Sequence, residues 1–353
     1  MSERTVPSRP ALRRLPALAT TGIGSLPFDA PTAAVRHATR AYDLPFVPQL
    51  PRHDGDMLAE WLGPQWSSGV GCGWSAERDR ERPVAWEAAI EALEAGVGAG
   101  ARPRRPRAGR AVGAEGSCCP GRPVTLDALR LVKLQVTGPV TLAVALERAA
   151  GRPGTGAAVV SLAREVAGWL AANVAAQVSA LAAIGLDVVL LADEPGLQSA
   201  GLRPDVTDLW DPLRAGVAAW GLHLCCQVPW GLVDAAQPDV LSFDVTRYAV
   251  GGPGVDVLAA LAARGGRIAW GALDPVAPDG PEMVAARVGA GLGALTGAGL
   301  AVEDALAASL LTPACGTGRL SVQRERLVAA TLGAGGEIAR ATVAARATGA
   351  RAA

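Results

Sequence analysis

From about residue 20 onward the chain repeats one pattern: a short β-branched or apolar run, a turn carrying Gly, Pro or Asp, then an Ala/Leu-rich stretch with helical spacing. A chain that alternates in this way has few folds open to it, because each helix must cross back over the sheet to return the next strand parallel to the last. Candidate strands are ATTGIG (19–24), LPFVPQ (44–49), LVKLQVT (131–137), DVVLLAD (187–193), LHLCCQ (222–227), DVLSFDV (239–245), RIAWGAL (267–273) and SLLTPAC (309–315). Between them, 160–185 has helical periodicity and ends in Gly185, a helix-capping glycine. The stretch 278–300 does the same, with a proline near its start. Eight such units predict a (β/α)8 TIM barrel, which a chain of 353 residues can build as one domain.

The barrel is expected over 19–340, with 1–18 as a disordered N-terminal tail and 341–353 as a C-terminal tail. The second unit is swollen by an Arg/Pro/Gly-rich insertion, about 101–123, whose composition resists packing. It reads as a mobile insertion, with a basic lid over an anionic substrate as the competing reading. Acidic and basic residues balance at 33 each, which gives no reason to expect a nucleic-acid partner. Apolar stretches are broken by Arg, Glu, Asp or Gly, so no membrane span is expected. The opening residues lack the apolar run of a signal peptide. A cytoplasmic location is the expectation, and there the six cysteines suit metal or catalytic roles better than disulfides. Cys72, Cys118 and Cys119 are expected to have no catalytic role, unlike Cys225 and Cys315, which end predicted strands.

Side chains at the C-terminal ends of barrel strands face the active-site mouth, so the strand assignments predict which residues meet. They bring together Ser25, Asp193, His223, Cys225, Asp244 and Cys315. His223, Cys225, Asp244 and Cys315 form a four-donor set suited to zinc, a borderline-soft ion that accepts sulfur, nitrogen and oxygen. His223 and Cys225 are two apart, which in an extended strand puts both on one face and turns Cys226 away. Any one of these His or Cys residues alone reads more often as a packed core residue, and the convergence of three such strands on one mouth lowers that reading. Asp244 has two further readings, a cap for the following helix or a pair with Arg247.

Zinc held by two thiolates and a carboxylate is a poor Lewis acid toward a carbonyl, yet it keeps a bound thiol deprotonated and nucleophilic. Alkyl transfer to sulfur matches it better than hydrolysis. Asp193 sits where a substrate ammonium could be held, a helix cap or internal ion pair being the alternatives. Glu194, beside Pro195, is free to point elsewhere. The Gly24-Ser25 turn offers backbone N–H groups to a carboxylate, or is simply a tight barrel turn. An amine holder, a carboxylate holder and a thiol-binding metal describe a thiol amino acid.

These positions resemble the catalytic barrel of cobalamin-independent methionine synthase, within the uroporphyrinogen decarboxylase-like superfamily. The resemblance runs from about residue 20 to 335 through TGIGSLP (21–27), GDMLAEW (55–61), VTGPVTLA (136–143), LADEPGL (191–197), HLC (223–225), LSFDVTR (241–247) and TPACG (312–316). It implies zinc on His223, Cys225, Asp244 and Cys315, catalytic roles for Asp193, His223, Cys225 and Cys315, and homocysteine held by Ile23, Ser25 and Asp193. The methyl group would pass to the homocysteine sulfur to give methionine. Three departures stand out. The family's third ligand is usually Glu rather than Asp. The family's Gly-Glu pair, a second acid for the amino group, is replaced by Pro48-Gln49-Leu50. A second barrel and a His after strand seven are missing, the sequence there being GALDPVAPDG (271–280). The donor is expected to be a methylcorrinoid, free or protein-bound, or methyltetrahydrofolate, and the protonation that demethylating a folate amine needs argues against efficient folate use. The competing functions are another zinc/thiol or corrinoid methyltransferase, a uroporphyrinogen decarboxylase-like enzyme and a non-catalytic zinc protein.

Overall fold

The computed structural model describes residues 10–63, 66, 74–75, 82–98, 126–202 and 206–352. Cys72, Cys118, Cys119 and the 101–123 insertion lie outside the described residues. Seven parallel strands carry the fold: β1 (Ala19–Thr20), β2 (Leu131–Thr137), β3 (Asp187–Asp193), β4 (Ala219–Leu224), β5 (Val240–Asp244), β6 (Arg267–Leu273) and β7 (Ser309–Pro313). They lie in the order β1-β7-β6-β5-β4-β3-β2, with helices in the connections, as in an α/β barrel. β2, β4, β5, β6 and β7 are buried along their whole length, which is why they read as near-continuous apolar runs rather than alternating ones.

The expected second strand, 44–49, is not assigned as one. It nevertheless lies between the two sheet edges and bonds to both. Leu44 and Gln49 donate their N–H groups to Thr20 (3.0 Å) and Gly24 (3.0 Å), and Leu26 donates to Gln49 (2.9 Å). On the other side Val47 donates to Lys133 (3.0 Å) and Lys133 to Pro45 (2.9 Å). Pro45 and Pro48 have no N–H, so a continuous ladder cannot form here and single bridges remain, Ser25 with Gln49 and Phe46 with Lys133.

Helices begin where the sequence supplies proline. Pro31, Pro51, Pro139, Pro253 and Pro281 each open a helix, their fixed φ being preset for the first turn and their missing N–H costing nothing there. The expected cap at Gly185 is present. The long helix Gly156–Ala183 ends there, with Gly185 at φ 81°, a conformation that favours glycine, donating to Ala182 (2.9 Å) while Leu186 donates to Leu181 (3.1 Å). Among the described residues this helix alone is long and apolar enough to cross a bilayer. Val159, Val166, Trp169, Leu170, Val174 and Leu181 on its inner face are instead buried within the protein.

Two terminal assignments are corrected. Residues 10–18 are not a tail: Ala11, Leu12, Leu15 and Leu18 are buried, and a 3-10 turn, Leu12–Arg14, fits under the sheet. Ala11, Leu12 and Leu15 join Leu131, Val189, Val240, Ala269 and Leu310 in one apolar cluster that fills the lower interior. Arg267, itself buried, donates from Nε to the Leu12 carbonyl (3.2 Å), and Arg340 donates to that of Ala17 (3.1 Å). Arg14 of the segment in turn pairs with Asp187 at the start of β3. At the other end, the final helix spans Val322–Ala352, so 341–352 continues that helix rather than forming a separate tail.

Truncating Leu12 to Ala leaves a hole in a closed interior and is expected to cost about 2–5 kcal/mol. Urea denaturation of the parent and the variant measures it, and a loss under about 0.5 kcal/mol would show that the segment is dispensable.

Candidate functional site

The C-terminal ends of the strands open on a cavity of ≈ 820 Å³. Ile23, Ser25, Asp193, His223, Cys225, Asp244 and Cys315 all line it, so every site residue expected from the sequence faces one space. Gln49, Asp56, Glu60, Arg148, Arg247, Asp274 and Arg319 complete the charged and amide lining.

Asp193 and Glu194 end β3 with opposite orientations, as alternation along a strand requires. Asp193, 7% exposed, accepts a short hydrogen bond from Gln135 Nε2 and reaches the cavity. Burial pushes its carboxyl upward, with the Gln135 bond and the nearby Lys133 charge opposing that shift. Glu194 turns the other way and has no exposed surface. Its Oε1 accepts from Val140 N (3.2 Å) and Trp210 Nε1 (2.9 Å), its Oε2 from Thr141 N (2.8 Å) and Thr141 Oγ1 (2.8 Å). A carboxylate at the first turn of helix Pro139–Ala149 is favoured by the exposed N–H groups there. The glycine of the Thr-Gly-Pro turn is required by it: a Cβ on Gly138 would lie 2.1 Å from Glu194 Cδ.

β4 ends earlier than the sequence suggests, at Leu224, and Cys225 and Cys226 lie in the bend that follows. Cys225 therefore shares the cavity with His223 through the bend rather than by strand alternation. Cys226 packs away from it in the apolar core, its thiol toward the Glu194 carbonyl (3.9 Å). His223, 3% exposed, has Nδ1 2.9 Å from Ser242 Oγ. Burial, with the Lys133 charge adding to it, lowers its pKa to about 3, so the imidazole is neutral. With Nδ1 donating to Ser242, Nε2 carries the lone pair.

β7 likewise stops at Pro313, and Cys315 lies in the bend beyond. The two cavity thiols act on one another, Cys315 raising the Cys225 thiol and being lowered in turn, with the Gly316 N–H also favouring a Cys315 thiolate. The bend continues over the first strand, Thr317 N donating to the Ser25 carbonyl (3.2 Å) and Gly318 N to Ser25 Oγ (3.3 Å). Asp244 closes β5 as expected, but its Oδ1 is used in capping: it accepts from Thr246 N (2.8 Å), Thr246 Oγ1 (2.6 Å) and Arg247 N (3.3 Å). Arg247 Nε stands 3.8 Å from Oδ2. The pairing with Arg247 is thus present, whereas the capping bonds serve the turn directly after β5 and not the following helix, Pro253–Ala263. Among the described residues, no three His, Cys, Asp or Glu side chains stand close enough together to share an ion as placed.

Three contributors are absent from the sequence reading. Lys133 and Gln135 occupy alternate positions of β2 and point into the barrel with Thr137, an inward period-two pattern visible in LVKLQVT. Lys133 is 2% exposed, and burial drives its pKa down while Asp193 opposes the shift. Glu60, on the short helix Ala59–Leu62, accepts from Gln49 Nε2 (2.7 Å) and raises Asp193 by its charge. A second acid thus stands in the cavity although Pro48-Gln49-Leu50 supplies none. No local pattern reveals it, because only the fold brings 60 near 193.

No family model matches the chain, and no curated protein sequence matches it. Among solved structures, a methyltransferase from Methanosarcina mazei is similar over 91% of this chain and 96% of its own, at 12% identity and a TM-score of 0.43. A likeness of that size says nothing of substrate or chemistry.

Two outcomes follow from the local chemistry. Glu194→Ala strands four donors in the interior and is expected to cost roughly 3 kcal/mol or more in urea denaturation. In chelator-treated protein near neutral pH, iodoacetamide should modify Cys315 before Cys225 and Cys226, as peptide mass spectrometry would show; equal rates at Cys225 would contradict the polarity of the pair.

Proposed function

We propose that the chain is a cytoplasmic zinc-dependent methyltransferase that passes a methyl group to the thiol of homocysteine, giving methionine. In this reading the fold is a (β/α)8 barrel with 44–49 in the place of the second strand. The observation that carries it is the meeting of Cys225 and Cys315 in one cavity with neutral His223 and with Asp193. Two thiols on one cavity and a neutral imidazole are the donor chemistry zinc takes, and His223, Cys225, Cys315 and Asp244 are its proposed ligands. The imidazole is fixed by β4, while both thiols lie on bends, so the ligand set closes by side-chain rotation there. Asp244 would ligate through Oδ2, leaving Oδ1 in its capping bonds. Such a metal supplies a substrate thiolate that stays nucleophilic at neutral pH.

The protein's own residues define the acceptor. Asp193 accepts the substrate ammonium, with Glu60 as a further acid in the same space. The Ile23-Gly24-Ser25 turn holds the carboxylate by backbone N–H groups, and Gly24 lets that turn pack against Gln49, whose Oε1 would lie 2.7 Å from a Cβ there. The cavity is large enough for an amino acid and part of a donor, a methylcorrinoid, free or protein-bound, or methyltetrahydrofolate. The loop 271–280 that lines it contributes Asp274, Pro275 and Val276 but no imidazole to protonate a folate amine, which favours the corrinoid. Asp56, Glu60, Asp193, Asp244 and Asp274 outnumber Arg148, Arg247 and Arg319 in the lining, a poor match for a polycarboxylate porphyrinogen.

Purified parent protein should contain about one zinc per chain, and His223→Ala and Cys315→Ser should lose it, by elemental analysis. Retention of the metal by Asp244→Ala would leave that residue as a cap alone. Methyl transfer to homocysteine is assayed with methylcobalamin and methyltetrahydrofolate in parallel. A metal-free parent that turns over would sink the mechanism, and faster turnover with folate would reverse the choice of donor.

A further inference from the structure

A lysine lies buried inside the barrel, between an apolar floor and a small set of polar side chains. Lys133 Nζ donates to the Ile23 carbonyl (2.6 Å) and to Gln135 Oε1, and its charge stands over the Phe46 ring at 5.2 Å. Burying an ammonium is costly, and it persists only where each of its donors is met and a counter-charge is near. Here the counter-charge is Asp193, reached through one side chain, Gln135.

The order of bonds has a direction. A primary amide presents one oxygen and one NH2, and which way it faces is set by its partners. Lys133 can only donate, so Gln135 must turn its oxygen to Lys133 and thereby its NH2 to Asp193. Without the ammonium the amide could flip and present oxygen to the carboxylate, a repulsive contact. The same ammonium holds the Ile23 carbonyl, fixing the peptide that begins the Ile23-Gly24-Ser25 turn. One buried cation thus touches both ends of the space in which an α-amino acid would lie, the carboxylate-binding turn directly and the ammonium-binding Asp193 through Gln135.

We propose that Lys133 is the positioning residue of an α-amino-acid subsite, locking the Gln135 amide so that Asp193 and the Ile23-Gly24-Ser25 turn stand ready for the ammonium and carboxylate of one ligand. The inference rests on the amino-acid reading of the cavity but not on the metal or the methyl donor. It assigns Lys133 no contact with the ligand. Its signature is therefore selective loss: removing Lys133 should weaken recognition of the amino group and leave thiol recognition alone.

The test is calorimetric binding to the full chain of homocysteine and of 4-mercaptobutanoic acid, the same thiol acid without the amino group. The parent should prefer homocysteine. Lys133→Met, which keeps the side chain's length and removes its charge, should lower that preference by roughly 10- to 100-fold, the range for one hydrogen bond to a charged group. Lys133→Met combined with Asp193→Asn should be no worse than Asp193→Asn alone, because both act through one carboxylate. Gln135→Met breaks the same path without touching the lysine and should reproduce the loss. If the parent discriminates and Lys133→Met and Gln135→Met discriminate equally well, the inference fails and the amino-acid reading survives. If the parent itself binds both thiols alike, that reading fails and the inference falls with it. If neither variant folds, the lysine is a structural group and the positioning role is overturned.

Discussion

The buried carboxylate of Glu194 joins three elements that backbone geometry alone would leave independent. Placed directly after β3, it takes donors from Val140 and Thr141 in the first turn of helix Pro139–Ala149 and from Trp210 in the 3-10 segment Asp208–Arg214. Each bond satisfies a group that would otherwise be stranded away from water, so the arrangement is determined rather than merely permitted. The consequence for the site is indirect. With Glu194 immobilised on one side of the strand, Asp193 has nowhere to turn but the cavity. Two adjacent acids acquire different tasks from the alternation of one strand.

Polar groups under the cavity continue the same logic inward. Lys133, Gln135, Ser242 and Thr312 occupy the barrel interior above an apolar floor of leucines and valines. A barrel filled only with hydrocarbon at this level would give no reason for His223 or Asp193 to adopt one orientation. Hydrogen bonds to Ser242 and Gln135 supply that orientation from below. The sulfur side of the cavity is built differently: Cys225 and Cys315 lie on bends past their strands, where the backbone has room to adapt.

Much of this was legible in the sequence, for identifiable reasons. β2, β3 and β6 are found at the residue limits expected, because a fully buried parallel strand is an uninterrupted apolar run bounded by turn residues. The set of side chains facing the mouth followed from strand order alone. Three features did not follow. The segment 44–49 carries strand-like residues, but its two prolines confine it to single bridges. Residues 10–18 look unstructured in isolation and gain order only from a floor assembled out of distant strands. Glu60 enters the cavity from a short helix whose place depends on Gln49 and on the tertiary fold. Local periodicity reports on elements that are stable in their own neighbourhood, and none of these three is.

The plug under the barrel also bears on the order of assembly. Leu18 donates its N–H to Ser309 (2.8 Å), Leu12 lends its carbonyl to Arg267, and β1 pairs with β7. Residues 12–20 thus draw partners from the far end of the chain. During vectorial synthesis β2 to β6 can pair successively as they emerge, each with its predecessor, and segment 44–49 can meet β1 early, whereas the strand partner of β1 is missing until β7 is complete. The pairing of β1 with β7 is therefore a late step, and it joins the first strand to the end of a sheet already formed.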